Sequence, residues 1–130
     1  MELQGLHHVA IKTNDLCKTL DFYCGILGLE VEERFYDSGE ESEIVFLSLG
    51  NTRLEVIAPH RPEEKEISFS PSFHLALATS NVEKTYEELT EKGINFTLPL
   101  TESGGFKYAY FSGPMGETLE IVERRGGFSD

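Results

Sequence analysis

The sequence predicts an α+β fold of two βαβββ modules in one domain. Three observations carry this: the chain repeats itself at an offset of 65 to 66 residues, each half alternates strand and helix patterns in the same order, and glycines punctuate both halves at matching places. Residues His8 to Thr19 align with His74 to Thr85, and five of the twelve positions are identical: the His, Ala, Thr, Lys and Thr pairs. Further on, Gly28-Leu29 matches Gly93-Ile94, and Leu54-Glu55-Val56-Ile57 matches Leu119-Glu120-Ile121-Val122.

Each element follows from local pattern. His8–Thr13 and Phe73–Thr79 are short, aliphatic and strand-like. Each runs into a helix. Leu16, Leu20, Tyr23 and Leu27 keep a helical period in the first; Val82, Thr85, Tyr86 and Leu89 keep it in the second. Ser80 followed by Glu83 has capping-box form, and Gly28 and Gly93 stand where helices end. Strands are expected at Glu30–Phe35, Glu43–Leu49 and Thr52–Ile57, with a turn at Gly50-Asn51. Their counterparts are Asn95–Leu98, Lys107–Phe111 and Thr118–Val122, with the turn Gly113-Pro114-Met115-Gly116. Asp37–Ser42 and Thr101–Gly105 read as loops. Module 1 is therefore placed at about residues 5–58, a linker at 59–72 and module 2 at about 73–124, with a frayed tail after Arg124.

Composition narrows the function classes. The chain has 130 residues, 39% hydrophobic and 26% charged, an ordinary globular balance. Its formal net charge of −12 disfavours nucleic acid and anionic membrane as partners. No apolar run approaches the roughly 18 residues of a membrane span, and the first residues lack the pattern of a signal peptide. Cys17 and Cys24 fall in one expected helix, roughly 10 Å apart by helical rise, too far for a disulfide. They read as buried thiols in a reducing compartment, which places the protein in the cytoplasm.

The repeat also sets a His on the first strand and a Glu on the last strand of each half: His8 with Glu55, and His74 with Glu120. His7 is set aside because strand neighbours point to opposite faces and His8 is the one that aligns with His74. Two imidazoles and two carboxylates converging on one cavity would hold a divalent cation. Mixed oxygen and nitrogen ligation suits Ni, Co, Mn, Fe or Zn. Four protein ligands on an octahedral ion leave two positions for substrate oxygens, as a catalytic rather than a structural site requires.

With these residues in place, the sequence resembles the vicinal oxygen chelate superfamily of glyoxalase and bleomycin-resistance-like proteins. The motifs are Leu6-His7-His8-Val9-Ala10-Ile11, Leu20-Asp21-Phe22-Tyr23, Leu27-Gly28-Leu29-Glu30-Val31, Leu54-Glu55-Val56, Phe73-His74-Leu75-Ala76-Leu77 and Gly113-Pro114-Met115-Gly116-Glu117-Thr118-Leu119-Glu120-Ile121. The resemblance implies paired βαβββ modules forming a half-barrel around a metal site, in a homodimer. The His-Glu-His-Glu order is similar to bacterial glyoxalase I, with one divalent metal ion (Ni, Co or Zn) on His8, Glu55, His74 and Glu120. It implies conversion of a thiol hemithioacetal of a 2-oxoaldehyde to a 2-hydroxyacyl thioester through a metal-bound enediolate, with glutathione or another thiol as partner of the small-molecule substrate. Glu120 would shuttle the proton, with Glu55 as its partner. Lys12 and Lys107 are candidate substrate-binding residues. Lys12 stands where that family has an arginine, and Pro59 where it has an asparagine. Methylmalonyl-CoA epimerase-like racemisation, on the same enolate logic, and metal-free ligand binding are the alternatives.

Overall fold

The computed structural model describes residues 1–61 and 67–125. Part of the expected linker and all but the first residue of the expected tail thus lie outside the described residues. The chain divides into two compact units, Met1–Ile67 and Ser68–Asp130.

Unit 1 contains β1 (Val9–Lys12), α1 (Leu16–Leu20), β2 (Val31–Asp37), β3 (Ser42–Leu49) and β4 (Thr52–Pro59). Unit 2 contains β5 (Leu75–Ala78), α2 (Val82–Glu91), β6 (Leu98–Ser103), β7 (Phe106–Ser112) and β8 (Thr118–Arg124). The two sheets have the same topology, β1-β4-β3-β2 and β5-β8-β7-β6. In each, the first strand pairs parallel to the last and the remaining pairings are antiparallel. The α+β architecture of two βαβββ modules is the expected one.

The repeat extends to the joints. Thr13 and Thr19 are fully buried, and their hydroxyls pair at 2.7 Å, tying the end of β1 to α1. Thr79 and Thr85 repeat the contact at 2.7 Å. The Asp15 side chain caps α1 by accepting from Lys18 N–H at 3.0 Å. Asn81 caps α2 by accepting from Lys84 N–H at 3.1 Å. The cap of α2 is therefore Asn81 rather than Ser80: Asn81 stands 66 residues after Asp15, and its amide oxygen reaches the third amide beyond it, as a good N-cap side chain does.

Four further expectations are corrected. The first helix changes pitch after Leu20 and continues as a π-helical stretch over Asp21–Ile26, where Leu27 N–H reaches the Phe22 carbonyl, five residues back, at 3.0 Å. The wider turn leaves the adjacent Phe22 and Tyr23 both buried. The strand expected at Asn95–Leu98 begins only at Leu98 and takes in much of the expected loop 101–105, because Phe96 is drawn onto Tyr86 of α2 with ring centroids 4.1 Å apart. Pro99 is accommodated because β6 is an outer strand, where a missing N–H costs no ladder bond. Cys17 is exposed and Cys24 half-buried, so the thiols are free but Cys17 is not in the core. Burial raises the Cys24 thiol above its ordinary pKa. Arg125, expected to fray, donates its N–H to the Gly105 carbonyl at 2.5 Å and pairs with Glu83 and Glu123.

Each sheet separates its faces by alternation. Leu54 and Val56 of β4, with Val45 and Leu47 of β3, are fully buried on one face. Leu119 and Ile121 of β8, with Ala109 and Phe111 of β7, do the same in unit 2. Glu55 of β4 and Glu120 of β8 lie on the opposite face, while Lys107 of β7 alternates with Tyr110 and falls on the face of Ala109 and Phe111. Among the described residues no helix is long and apolar enough to cross a membrane.

Candidate metal centre

Glu55 lies in β4 between Ala10 of β1 and Phe46 of β3. Glu120 lies in β8 between Ala76 of β5 and Tyr110 of β7. The alanine beside each Glu leaves room for the carboxylate to lean toward the His two residues before it. His8 Nε2 is 3.4 Å from Glu55 Oε1, and His74 Nε2 is 2.9 Å from Glu120 Oε1. An aromatic ring completes each cradle edge-on: Phe46 beside His8 at 5.7 Å, and Tyr110 beside His74 at 5.4 Å between centroids. The Glu side chains are sheltered (16% and 11% exposed), while the imidazoles stand further out (35% and 43%).

Each unit thus brings together one of the two expected His–Glu pairs. Among the described residues no ready-made group of three or more His, Cys, Asp or Glu is present. The separations can be tested against a metal. Two donors bound to one ion at about 2.1 Å stand about 3.0 Å apart at right angles and about 3.4 Å apart in a tetrahedron. The observed 2.9 and 3.4 Å match those edges, so each pair fits as two adjacent ligands of one ion. Without the ion, the same spacing suits an Nε2–H donating to the carboxylate.

His7, set aside by alternation, is in contact with the site. Like His8, it lies just before β1, where strand alternation does not apply, and its Nδ1 is 2.7 Å from His8 Nδ1. If His8 carries its proton on Nε2, His7 donates to His8 Nδ1. If Nε2 binds a cation, the proton moves to Nδ1 and His7 accepts it. Such a contact fixes ring orientation behind a ligand. Phe46 and Tyr110 hold matching places on the strand before each Glu strand, opposite Glu55 and Glu120. The Tyr110 phenol is raised above its ordinary pKa, first by burial, then by the negative charge of Glu120 and by Tyr108.

The lysines divide. Lys12 shares the face of Ala10 in β1, next to Ile57, and is exposed. Lys107 lies on the face opposite Tyr110, with Nζ 3.7 Å from Glu83 Oε1 of α2. That contact places it with the helix rather than beside His74 and Glu120.

The sequence profile of the Glyoxalase/Bleomycin resistance protein/Dioxygenase superfamily matches residues 5–121. The chain belongs to this superfamily. It is 33% identical to the uncharacterized protein YwkD of Bacillus subtilis, over 95% of this chain and 100% of that one. It is 31% identical to the mitochondrial methylmalonyl-CoA epimerase of Bos taurus over 71% of this chain and 56% of that protein. It is 27% identical to lactoylglutathione lyase GLX1 of Arabidopsis thaliana over 90% of this chain and 43% of that protein. Among solved structures, a glyoxalase family protein from Enterococcus faecalis superposes with a TM-score of 0.74 at 28% identity, covering 95% of this chain and 100% of that one.

Proposed function

We propose that the chain is a divalent-metal-dependent lyase of the glyoxalase I type, converting the hemithioacetal of a 2-oxoaldehyde and a thiol into a 2-hydroxyacyl thioester. The observation that carries this reading is the repeated His–Glu pair at 3.4 and 2.9 Å, at equivalent places in the two units. His8, Glu55, His74 and Glu120 would hold one ion of Ni, Co or Zn. When bound, the ion supplies Lewis-acid polarisation of two adjacent substrate oxygens.

Glu120 takes the proton from the thiol-bearing carbon and returns it to the neighbouring carbon. It is the more sheltered of the two carboxylates, which keeps bulk water from competing for the transferred proton. Glu55 is its partner. Lys12 offers a charge for a substrate carboxylate on the Ala10 face, without the two-pronged geometry of arginine. Lys107, engaged with Glu83, has no part in this assignment. A homodimer in the cytoplasm, using glutathione or another thiol, completes the reading.

The experiment is metal analysis of protein purified without chelator, followed by assay of a 2-oxoaldehyde with glutathione or another thiol, with and without added Ni or Zn. Metal bound in stoichiometric amount and metal-stimulated thioester formation support the reading. Failure to bind Ni, Co or Zn defeats it. The likeness to methylmalonyl-CoA epimerase favours a second reading, in which Glu55 and Glu120 act on opposite faces of one carbon of an acyl-CoA. Metal-dependent deuterium uptake into methylmalonyl-CoA, without turnover of any hemithioacetal, would select it.

A further inference from the structure

The two cradles are nearly the same, so their differences are informative. Both have a His, an Ala and a Glu in the same arrangement, with a ring across the strand from the Glu. In unit 1 that ring is Phe46; in unit 2 it is Tyr110. The rings meet the adjacent imidazoles at similar distances, 5.7 and 5.4 Å, so the packing role needs only a phenyl group. The phenol oxygen is an addition to that role. It is found in the half that holds Glu120, the carboxylate assigned to proton transfer.

A phenol near neutral pH keeps its proton, so it acts as a hydrogen-bond donor rather than a base. Tyr110 is half-buried, on the same face of its sheet as Glu120. Proton removal by Glu120 leaves negative charge on the substrate oxygens. A phenol O–H carried opposite that carboxylate on the neighbouring strand, with its ring held 5.4 Å from His74, is suited to meet this charge, and donors aimed at developing charge contribute much of enzymatic rate. We propose that Tyr110 is a catalytic residue whose hydroxyl donates to the substrate oxygen that becomes anionic when Glu120 removes the proton. The duplicated site then divides its work: the Phe46 half holds and the Tyr110 half performs the chemistry. The proposal rests on the enolate-forming reading given above.

The test is Tyr110→Phe, which removes one oxygen and keeps the ring. Two readouts are taken on metal-loaded protein: steady-state turnover, and calorimetric affinity for a small hydroxamate. A hydroxamate anion presents two adjacent oxygens in one plane with charge like that of the enediolate. The substitution is expected to lower kcat about a hundredfold, leave metal content and thermal unfolding unchanged, and weaken hydroxamate binding about tenfold or more. Phe46→Tyr serves as the control and is expected to improve neither readout. Unchanged hydroxamate affinity in Tyr110→Phe overturns the proposal, even where the parent is an active lyase. A parent that turns over neither hemithioacetal nor acyl-CoA but loses hydroxamate affinity on Tyr110→Phe defeats the enzyme reading and leaves the phenol contact standing.

Discussion

Gly113 provides a sharp test of how the turn before β8 is built. Its backbone is outside the left-handed region, so φ alone would accept alanine. The obstacle is steric. A Cβ at Gly113 would lie 2.3 Å from Glu117 Cδ and 2.6 and 2.7 Å from its two oxygens. Glu117 is 5% exposed, and its carboxylate accepts the Met115 N–H at 2.8 Å inside the turn. Gly113→Ala must therefore push a buried carboxylate off its donor. A hydrogen bond to a charged group contributes about 1.5–3 kcal/mol, and displacement of the backbone adds strain, so the expected loss is about 2–4 kcal/mol. For a domain of this size that lowers Tm by roughly 10 °C. Thermal unfolding of a double-mutant cycle with Glu117→Ala identifies the cause. Removing the carboxylate removes the clash, so Gly113→Ala should cost under about 0.5 kcal/mol in the Glu117→Ala background. A Gly113→Ala protein as stable as its parent, or equal costs in both backgrounds, would refute the steric account.

Glu120→Gln keeps the shape of the side chain but not its basicity. Turnover should fall by about 10²–10⁴ while much of the metal is retained, measured by kinetics and metal analysis on the same sample. Thr19→Val removes one hydroxyl of a fully buried pair and should cost about 1–2 kcal/mol in urea unfolding. Because the Tyr110 pKa is raised, folding favours its neutral form; that contribution is intact below about pH 10 and is lost as pH climbs through the folded value. Tyrosine absorbance followed with rising pH should lose a late-ionising component in Tyr110→Phe relative to the parent.

Legibility in the sequence followed the repeat. His8, Glu55, His74 and Glu120 could be singled out because duplication puts the same residue types at the same offset, and strand pairing then fixes which His meets which Glu. The pairing of β1 with β4 and of β5 with β8 sets Ala10 beside Glu55 and Ala76 beside Glu120. Where tertiary packing competes with local pattern, the sequence misled. Phe96 looks like the start of a strand, but stacking on Tyr86 is the stronger claim on it. Lys107 looked free to bind substrate because nothing local marks Glu83, 24 residues earlier, as its neighbour. His7 was judged against His8 by strand alternation although both precede the strand, which begins only at Val9.

The duplicated pairs leave two ways for this chain to hold metal, and they differ in their response to a single substitution. If His8, Glu55, His74 and Glu120 share one ion, loading saturates at one equivalent per chain. Loss of any one ligand then weakens the whole site, by more than the ten- to hundredfold that loss of a supporting contact typically costs. If each His–Glu pair binds its own ion, two equivalents load weakly, because two protein ligands leave the rest of the shell to water. His8→Ala would then abolish one binding event and leave the other at its original affinity. Calorimetric titration of Ni into the chelator-stripped protein, its His8→Ala variant and its His74→Ala variant separates the cases. The proposal requires one equivalent in the parent and a comparable loss in both variants. The His74 pair is the closer of the two, at 2.9 Å against 3.4 Å. Equal sensitivity in both variants would thus mark shared coordination rather than the strength of either pair alone. Two independent steps, each lost separately, would end the four-ligand assignment and with it the case for placing Glu55 and Glu120 around one substrate.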